Sequence, residues 1–312
     1  MFCIVAFVVL AILGIFSASN RALAREAVDC VFRRVTFRPC NTGFDEKMKA
    51  RILGVVITRS EGGARFLNKN FELLSWLFFI LLTASSIWAI RGVYLFYVSG
   101  SCNGLNSTSF CVFDPTGSNN QVSALNATCK AKPTTEKDLT LKPVDLSTFP
   151  VKNRASHDQI VMIGCYGCAY TRETYPVIEN LVSRFGAQLT FLDIPVKTKT
   201  NYLTKVGYCL YRQDPTAYWK LNDILFKADE TVFETEPFVR QTLTSLGVDA
   251  DKTLACVADP TTEAAVEKQK AQIVATEVYG TPTIFINGQA SVGPKPYRVY
   301  AIMLKGLFYW LR

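Results

Sequence analysis

Histidine is almost missing from this chain. Its 312 residues include one, His157, against ten cysteines. Metal sites of mixed ligation draw on several histidines, so cysteine chemistry is weighed before zinc or iron, and no metal or other cofactor is expected. Also lacking is a long block of Lys and Arg with interleaved aromatics. The net charge of +8 is therefore assigned to solvated surface and membrane topology, not to nucleic acid. Charge is absent altogether from Met1 to Ala18, MFCIVAFVVLAILGIFSA, and no Lys or Arg precedes that run. Signal peptides normally carry a basic n-region, so a transmembrane helix over residues 1–18 is preferred to a cleaved leader, although Ser17-Ala18-Ser19 offers a peptidase small residues.

A second apolar run, Leu73 to Ile90, is followed by Arg91 and GVYLFYV, with Trp76, Trp88, Tyr94 and Tyr97 suited to interfacial belts. It predicts a transmembrane helix over residues 73–98. Between the runs lie eleven Lys and Arg against six Asp and Glu, whereas residues 99–152 hold five against four. The positive-inside bias then makes 19–72 a basic cytoplasmic loop and places the N-terminus and everything after residue 98 outside, in the cell membrane with two spans. Within that loop Cys30 and Cys40, with no histidine nearby, are expected as free structural thiols, the alternatives being a redox pair or half of a metal site.

Residues 99–152 are rich in Ser, Thr, Asn, Pro and Gly and predict an extracytoplasmic stalk. Cys102 and Cys111 flank a short polar loop and are candidates for a bridge, while Cys129 has no evident partner. The sequons at Asn106 and Asn126 fit an exposed stalk.

The chemistry concentrates further on. After His157, which is read as an exposed loop residue, DQIVMI forms a short apolar run. Gly164-Cys165-Tyr166-Gly167-Cys168 follows, then AYTRETYPVIENLVSRFG at helical spacing with Pro176 inside it, then QLTFLDIPV. Strand, Cys-x-x-Cys, helix, strand is a redox context, and no second Cys-x-x-Cys exists to complete a zinc knuckle. At a helix N-terminus the dipole lowers a cysteine pKa to about 3.5–7.5, so Cys165 is expected to face outward as the nucleophile and Cys168 to resolve the mixed disulfide. Over a hundred residues later comes Gly280-Thr281-Pro282, a strand Thr283 to Ile286, and Asn287-Gly288 as a hairpin turn.

With both motifs in view, residues 153–312 resemble the thioredoxin superfamily, most closely its DsbA-like branch. The resemblance implies an α/β thioredoxin-like fold with a helical insertion, here preceded by two transmembrane helices. It implies a cis Thr281-Pro282 loop that offers backbone to a bound peptide, and a structural disulfide between Cys209 and Cys256, the alternative being two buried thiols. The dipeptide Tyr166-Gly167 is neither the histidine-containing pair of strongly oxidising relatives nor the Gly-Pro of reducing ones, so the direction of electron flow stays open. The activity implied is that of a protein thiol–disulfide oxidoreductase on exported cysteine-containing proteins. Its membrane redox partner would be a quinone-linked re-oxidase or an electron donor. A reductase of the cytochrome-maturation type and a non-catalytic scaffold or sensor are the competing expectations.

Overall fold

The computed structural model describes residues 25–30, 32–33, 36, 44–58, 60–124, 139–196, 200–229 and 235–311. The chain divides into two compact units, Met1–Arg91 and Gly92–Arg312.

The first unit contains α1 (Phe44–Ile57), α2 (Glu61–Lys69) and most of α3 (Phe71–Ser99). Ser60 starts α2 by accepting the Gly63 N–H on its side chain at 3.2 Å, a cap that satisfies one of the helix's open donors. Twenty-nine residues make α3 about 43 Å long, enough to cross the roughly 30 Å of a hydrocarbon core. Its apolar side chains point all round, with Leu73, Trp76, Ile80 and Trp88 exposed. The hydroxyls of Ser75, Thr83 and Ser86 donate to carbonyls four residues back, so these three polar groups are satisfied within the helix. Among the described residues this is the one helix long and apolar enough to span a membrane; residues 1–18, the other expected span, lie outside them. One expectation is corrected here. Cys30 is not a free thiol but is disulfide-bonded and fully buried, a pairing that the absence of histidine and the spacing of the cysteines do not report. Its partner, and likewise Cys40 and Cys129, lie outside the described residues.

In the second unit a five-stranded sheet has the order β2-β4-β3-β6-β7, built from β2 (Val151–Lys152), β3 (Gln159–Gly164), β4 (Gln188–Asp193), β6 (Thr283–Ile286) and β7 (Gln289–Val292). Only β3 and β4 run parallel, joined by the crossover helix α4 (Ala169–Phe185); every other pairing is antiparallel. Both faces of β3 are covered, which is why QIVMI reads as a continuous apolar run. Ile160 and Met162 pack with Phe191 and Ile284 on one side, Val161 and Ile163 with Leu192 and Phe285 on the other. Asn287 and Gly288 both take positive φ and close the β6–β7 hairpin.

The insertion after β4 is α5 (Asn201–Gln213), α6 (Pro215–Lys227), α7 (Glu236–Ser245), α8 (Ala250–Ala258) and α9 (Pro260–Val274); α10 (Tyr297–Lys305) ends the domain. Asp214-Pro215 and Asp259-Pro260 mark two of its helix starts, each Asp accepting backbone N–H groups and each Pro sitting where no donor is needed. The Lys205–Glu263 ion pair, at 2.7 Å, links α5 to α9.

The expected stalk is the main departure. Leu139, Leu141, Val144 and Leu146 pack against the Phe149 side of the core, and β2 joins the sheet, so residues 139–152 belong to the domain. Residues 100–124 are docked on it too. Asn106 bridges the edge of β7, donating to Ala290 O at 3.1 Å and accepting from Val292 N at 2.9 Å. Buried Lys295 donates from Nζ to Val292 O at 2.9 Å and to Asn119 O and Asn120 Oδ1. The Cys102–Cys111 disulfide closes the loop within this segment. Irregularly spaced contacts of this kind leave no periodic trace in a Ser- and Asn-rich stretch.

Candidate active site

The dithiol occupies the turn between β3 and α4. Cys168 N–H donates to Cys165 O at 3.2 Å and Arg172 N–H to Cys168 O at 3.0 Å, so Cys168 is the N-cap of α4 and Cys165 lies one turn ahead of the helix. Both sulfurs are present in the dithiol form. Cys165 is fully buried and Cys168 is 1 % exposed, against the expectation that the first thiol faces outward. The Thr200 hydroxyl lies 3.6 Å from Cys165 Sγ, and the Thr171 hydroxyl accepts the Cys165 N–H at 3.5 Å.

Burial has an electrostatic consequence. A hydrogen bond with Cys168, then desolvation, then the charge of Cys168 push the Cys165 thiol up from its ordinary value, while the Val196 N–H and the Thr200 hydroxyl pull it down. The expected lowering by the helix dipole does not prevail. Cys165 stands outside the first helical turn, where that field falls off, and burial disfavours the charged form.

Tyr166, the first residue between the cysteines, turns inward. It is 1 % exposed, packs on Phe191 and Phe226 with ring centroids 5.7 and 5.1 Å away, and donates from its hydroxyl to Asn222 Oδ1 at 2.6 Å. Arg172 reinforces that anchor by donating to Tyr166 O at 3.2 Å and Leu225 O at 2.9 Å. The active-site turn is thereby bolted to α6 of the insertion. Gly167 is buried as well, and His157 is exposed in the turn before β3.

Two residues that motif reading passed over lie close by. Asp193, at the end of β4, is in register with Gly164, the residue before Cys165. Its Oδ2 accepts from Thr204 Oγ1 at 2.5 Å and its buried Oδ1 has no partner among the described residues. Desolvation first, and the neighbouring Cys165 second, hold this carboxyl well above its ordinary value. Asp193, Thr204 and Tyr166 together line the inner end of a cavity of about 480 Å³. The β-strand ending FLD was legible, but the meeting of its Asp with the cysteine turn needed the parallel pairing of β3 and β4.

Across the site the Thr281–Pro282 bond is cis. Ile163, two residues before Cys165, pairs with Thr283, the residue after Pro282, so the dithiol turn and the cis-proline loop leave adjacent strands at the same end of the sheet. Cys209 and Cys256 are joined by a disulfide, 6.0 Å between Cα atoms, which ties α5 to α8 in the insertion. The described residues contain no cluster of three or more His, Cys, Asp or Glu arranged to hold a metal.

The family description "DSBA-like thioredoxin domain" matches residues 137–305, just over half of the chain. The chain belongs to that family and is a thiol–disulfide oxidoreductase, which sets aside the non-catalytic scaffold. The match also begins before the 153 at which the resemblance was placed, in agreement with the packing of residues 139–152. No curated protein matches the chain. Similar solved structures include BdbD from Bacillus subtilis, at 17% identity and a TM-score of 0.43, covering 50% of this chain and 89% of that one. The catalytic domain of ScsC from Proteus mirabilis shares 14% identity at a TM-score of 0.45, over 53% and 90% of the two chains. MdbA, a thiol-disulfide oxidoreductase from Actinomyces oris, shares 14% at 0.41, over 52% and 85%.

Proposed function

We propose that this chain is a membrane-anchored oxidoreductase whose Cys165 is the nucleophile and Cys168 the resolving thiol, acting outside the cytoplasm on exported cysteine-containing proteins. The observation that carries this reading is the Cys165–Cys168 turn at a strand–helix junction, with the cis Thr281–Pro282 bond just ahead of the strand that pairs with β3. In the oxidising direction, a substrate thiolate attacks the Cys165–Cys168 disulfide at Cys165 and expels Cys168 as thiolate. A second substrate thiolate then attacks the substrate sulfur of the mixed disulfide and releases Cys165, leaving a substrate disulfide and the enzyme dithiol. A quinone-linked membrane partner would take up those two electrons. In the reverse direction Cys165 attacks a substrate disulfide, Cys168 resolves, and an electron donor restores the dithiol.

A specific observation favours that reverse, reductive reading as the alternative. Strong oxidants stabilise their reduced form as a thiolate, whereas burial and Cys168 disfavour the Cys165 thiolate here. Measuring the redox potential of the Cys165–Cys168 couple tests it. A value near about −120 mV supports disulfide formation, and one near about −270 mV assigns the protein to reduction. Replacement of Cys165 by Ser with exchange activity intact would overturn the catalytic assignment itself.

Anchoring rests on α3, and placement outside the cytoplasm on the disulfides Cys102–Cys111 and Cys209–Cys256, which persist in oxidising compartments. The two-span arrangement, with the basic loop 19–72 inside, draws on the charge bias and on contact with the lipid bilayer. The Cys30 disulfide pulls against a reducing location for that loop. A reporter fused after Arg312 that is active only in the cytoplasm would reject the orientation, and labelling of Cys30 by an impermeant maleimide after reduction of intact cells would move the loop outside.

A further inference from the structure

The backbone of the cis-proline loop is already paired. Ser123–Ala124 (β1) runs antiparallel to Gly280–Thr281 (β5), with Ser123 opposite Thr281 and Ala124 opposite Gly280, as a two-stranded sheet separate from the five-stranded one. We propose that residues 121–124 are an internal occupant of the edge that receives an extended substrate segment, so that a polypeptide must displace this strand before its cysteine meets Cys165. The inference rests on the assignment of Cys165 as nucleophile.

Three independent features of the structure carry it. The first is position: the pairing of Ile163 with Thr283 brings Gly280–Thr281 to the end of the sheet from which the dithiol turn leaves, and added strands bind by filling a backbone edge of this kind. The second is fit. A Cβ on Gly280 would stand 2.6 Å from Val122 Cβ, and one on Gly293 would stand 2.8 Å from Gln121 O, so the two glycines admit this strand at a distance no other residue allows. Gln121 and Val122 also share the wall of a cavity of about 550 Å³ with Tyr170, two residues after Cys168, which places the strand beside the first turn of α4. The third is the balance of holding forces. Among the described residues the anchors of this segment lie at Asn106, Asn119 and Asn120, whereas residues 123–124 form a strand of two residues. An element of that length is lifted without undoing its anchors, and the pairing it vacates is replaced by the substrate's own.

The test uses the full-length chain with Cys168→Ser and a single-cysteine decapeptide activated as its 2-thiopyridyl disulfide. Cys165 attacks the peptide sulfur, the new disulfide joins Cys165 to the peptide, and pyridine-2-thione leaves with the electron pair, read by its absorbance. Hydrogen exchange is then compared before and after trapping. The expected result is loss of amide protection at Ser123–Ala124 with protection retained at Gly280–Thr281, now supplied by the peptide. Trapping with Ser123–Ala124 still protected overturns the internal occupant. No release of pyridine-2-thione from the peptide overturns the nucleophile assignment beneath it. Ser123→Pro, which removes a ladder N–H, gives a second readout: alkylation of Cys165 by iodoacetamide in the reduced protein rises about tenfold as the covering strand opens. Lys295→Met, which cuts the anchors at Asn119 and Asn120, moves the rate in the same direction. Unchanged alkylation in both also counts against the proposal.

Discussion

Two pairs of cysteines stand in one domain and behave differently. Cys165 and Cys168 are three residues apart in a turn and stand as a dithiol, whereas Cys209 and Cys256 are 47 apart, on α5 and α8, and stand as a disulfide. The short pair is held by backbone hydrogen bonds and by the Tyr166 anchor, none of which needs a bond between the two sulfurs. The long pair is itself a cross-link. It restricts the unfolded chain over a large loop and ties two helices that share a hydrophobic cluster through Leu210 and Val257. Identical side chains thus stand as thiols in one place and as a restraint in the other, according to what else positions their backbones.

The largest effect expected from breaking this contrast is kinetic. Cys165→Ser should lower thiol–disulfide exchange by about a thousandfold or more in an insulin-reduction assay, because the attacking thiolate is gone. The paired replacement Cys209→Ala with Cys256→Ala should keep most of that activity. Its own cost is thermodynamic, roughly 2–4 kcal/mol in denaturant unfolding, as expected for a loop of this size. If exchange collapsed while stability held, the roles of the two pairs would have to be exchanged.

Smaller changes sharpen the picture of the turn. Tyr166→Phe deletes the 2.6 Å bond to Asn222 inside the core and should destabilise by about 1–2 kcal/mol, an unmet buried acceptor being the cause. The potential of the couple should shift with it if α6 holds the turn in place. Asp193→Asn should do the opposite to stability, by about 1 kcal/mol, the scale of one relieved buried group. The native carboxyl is held above its ordinary 3.8, so between that value and its folded value the folded chain carries a proton the unfolded chain has lost. Stability of the natural protein therefore falls as pH rises through that window. The Asn variant does not titrate, so its advantage should grow above pH 4 and vanish below it; thermal melts at both ends measure the difference.

Strand β3, the Cys-x-x-Cys turn, helix α4 and strand β4 were legible because each is signalled locally, by an apolar run, a spacing or a helical period. Thr281-Pro282 was legible as a motif, and its meaning depended on family resemblance. The docking of residues 100–124 was not legible: its contacts come singly, from Asn106, Asn119 and Asn120, in a segment whose composition resembles a linker. Tyr166 was read as an active-site neighbour of the thiols, and nothing in five letters shows that it points into the core.

By itself, then, the sequence determined the Cys-x-x-Cys pair, the order of elements around it and an apolar helix long enough to cross a membrane. Tertiary structure alone decided that Cys165 is covered, that Asp193 stands beside it and that β1 is paired to β5 across more than 150 residues of chain. Such contacts are set by long-range register and burial, and a two-residue strand or a single buried carboxyl has no period along the chain to announce it.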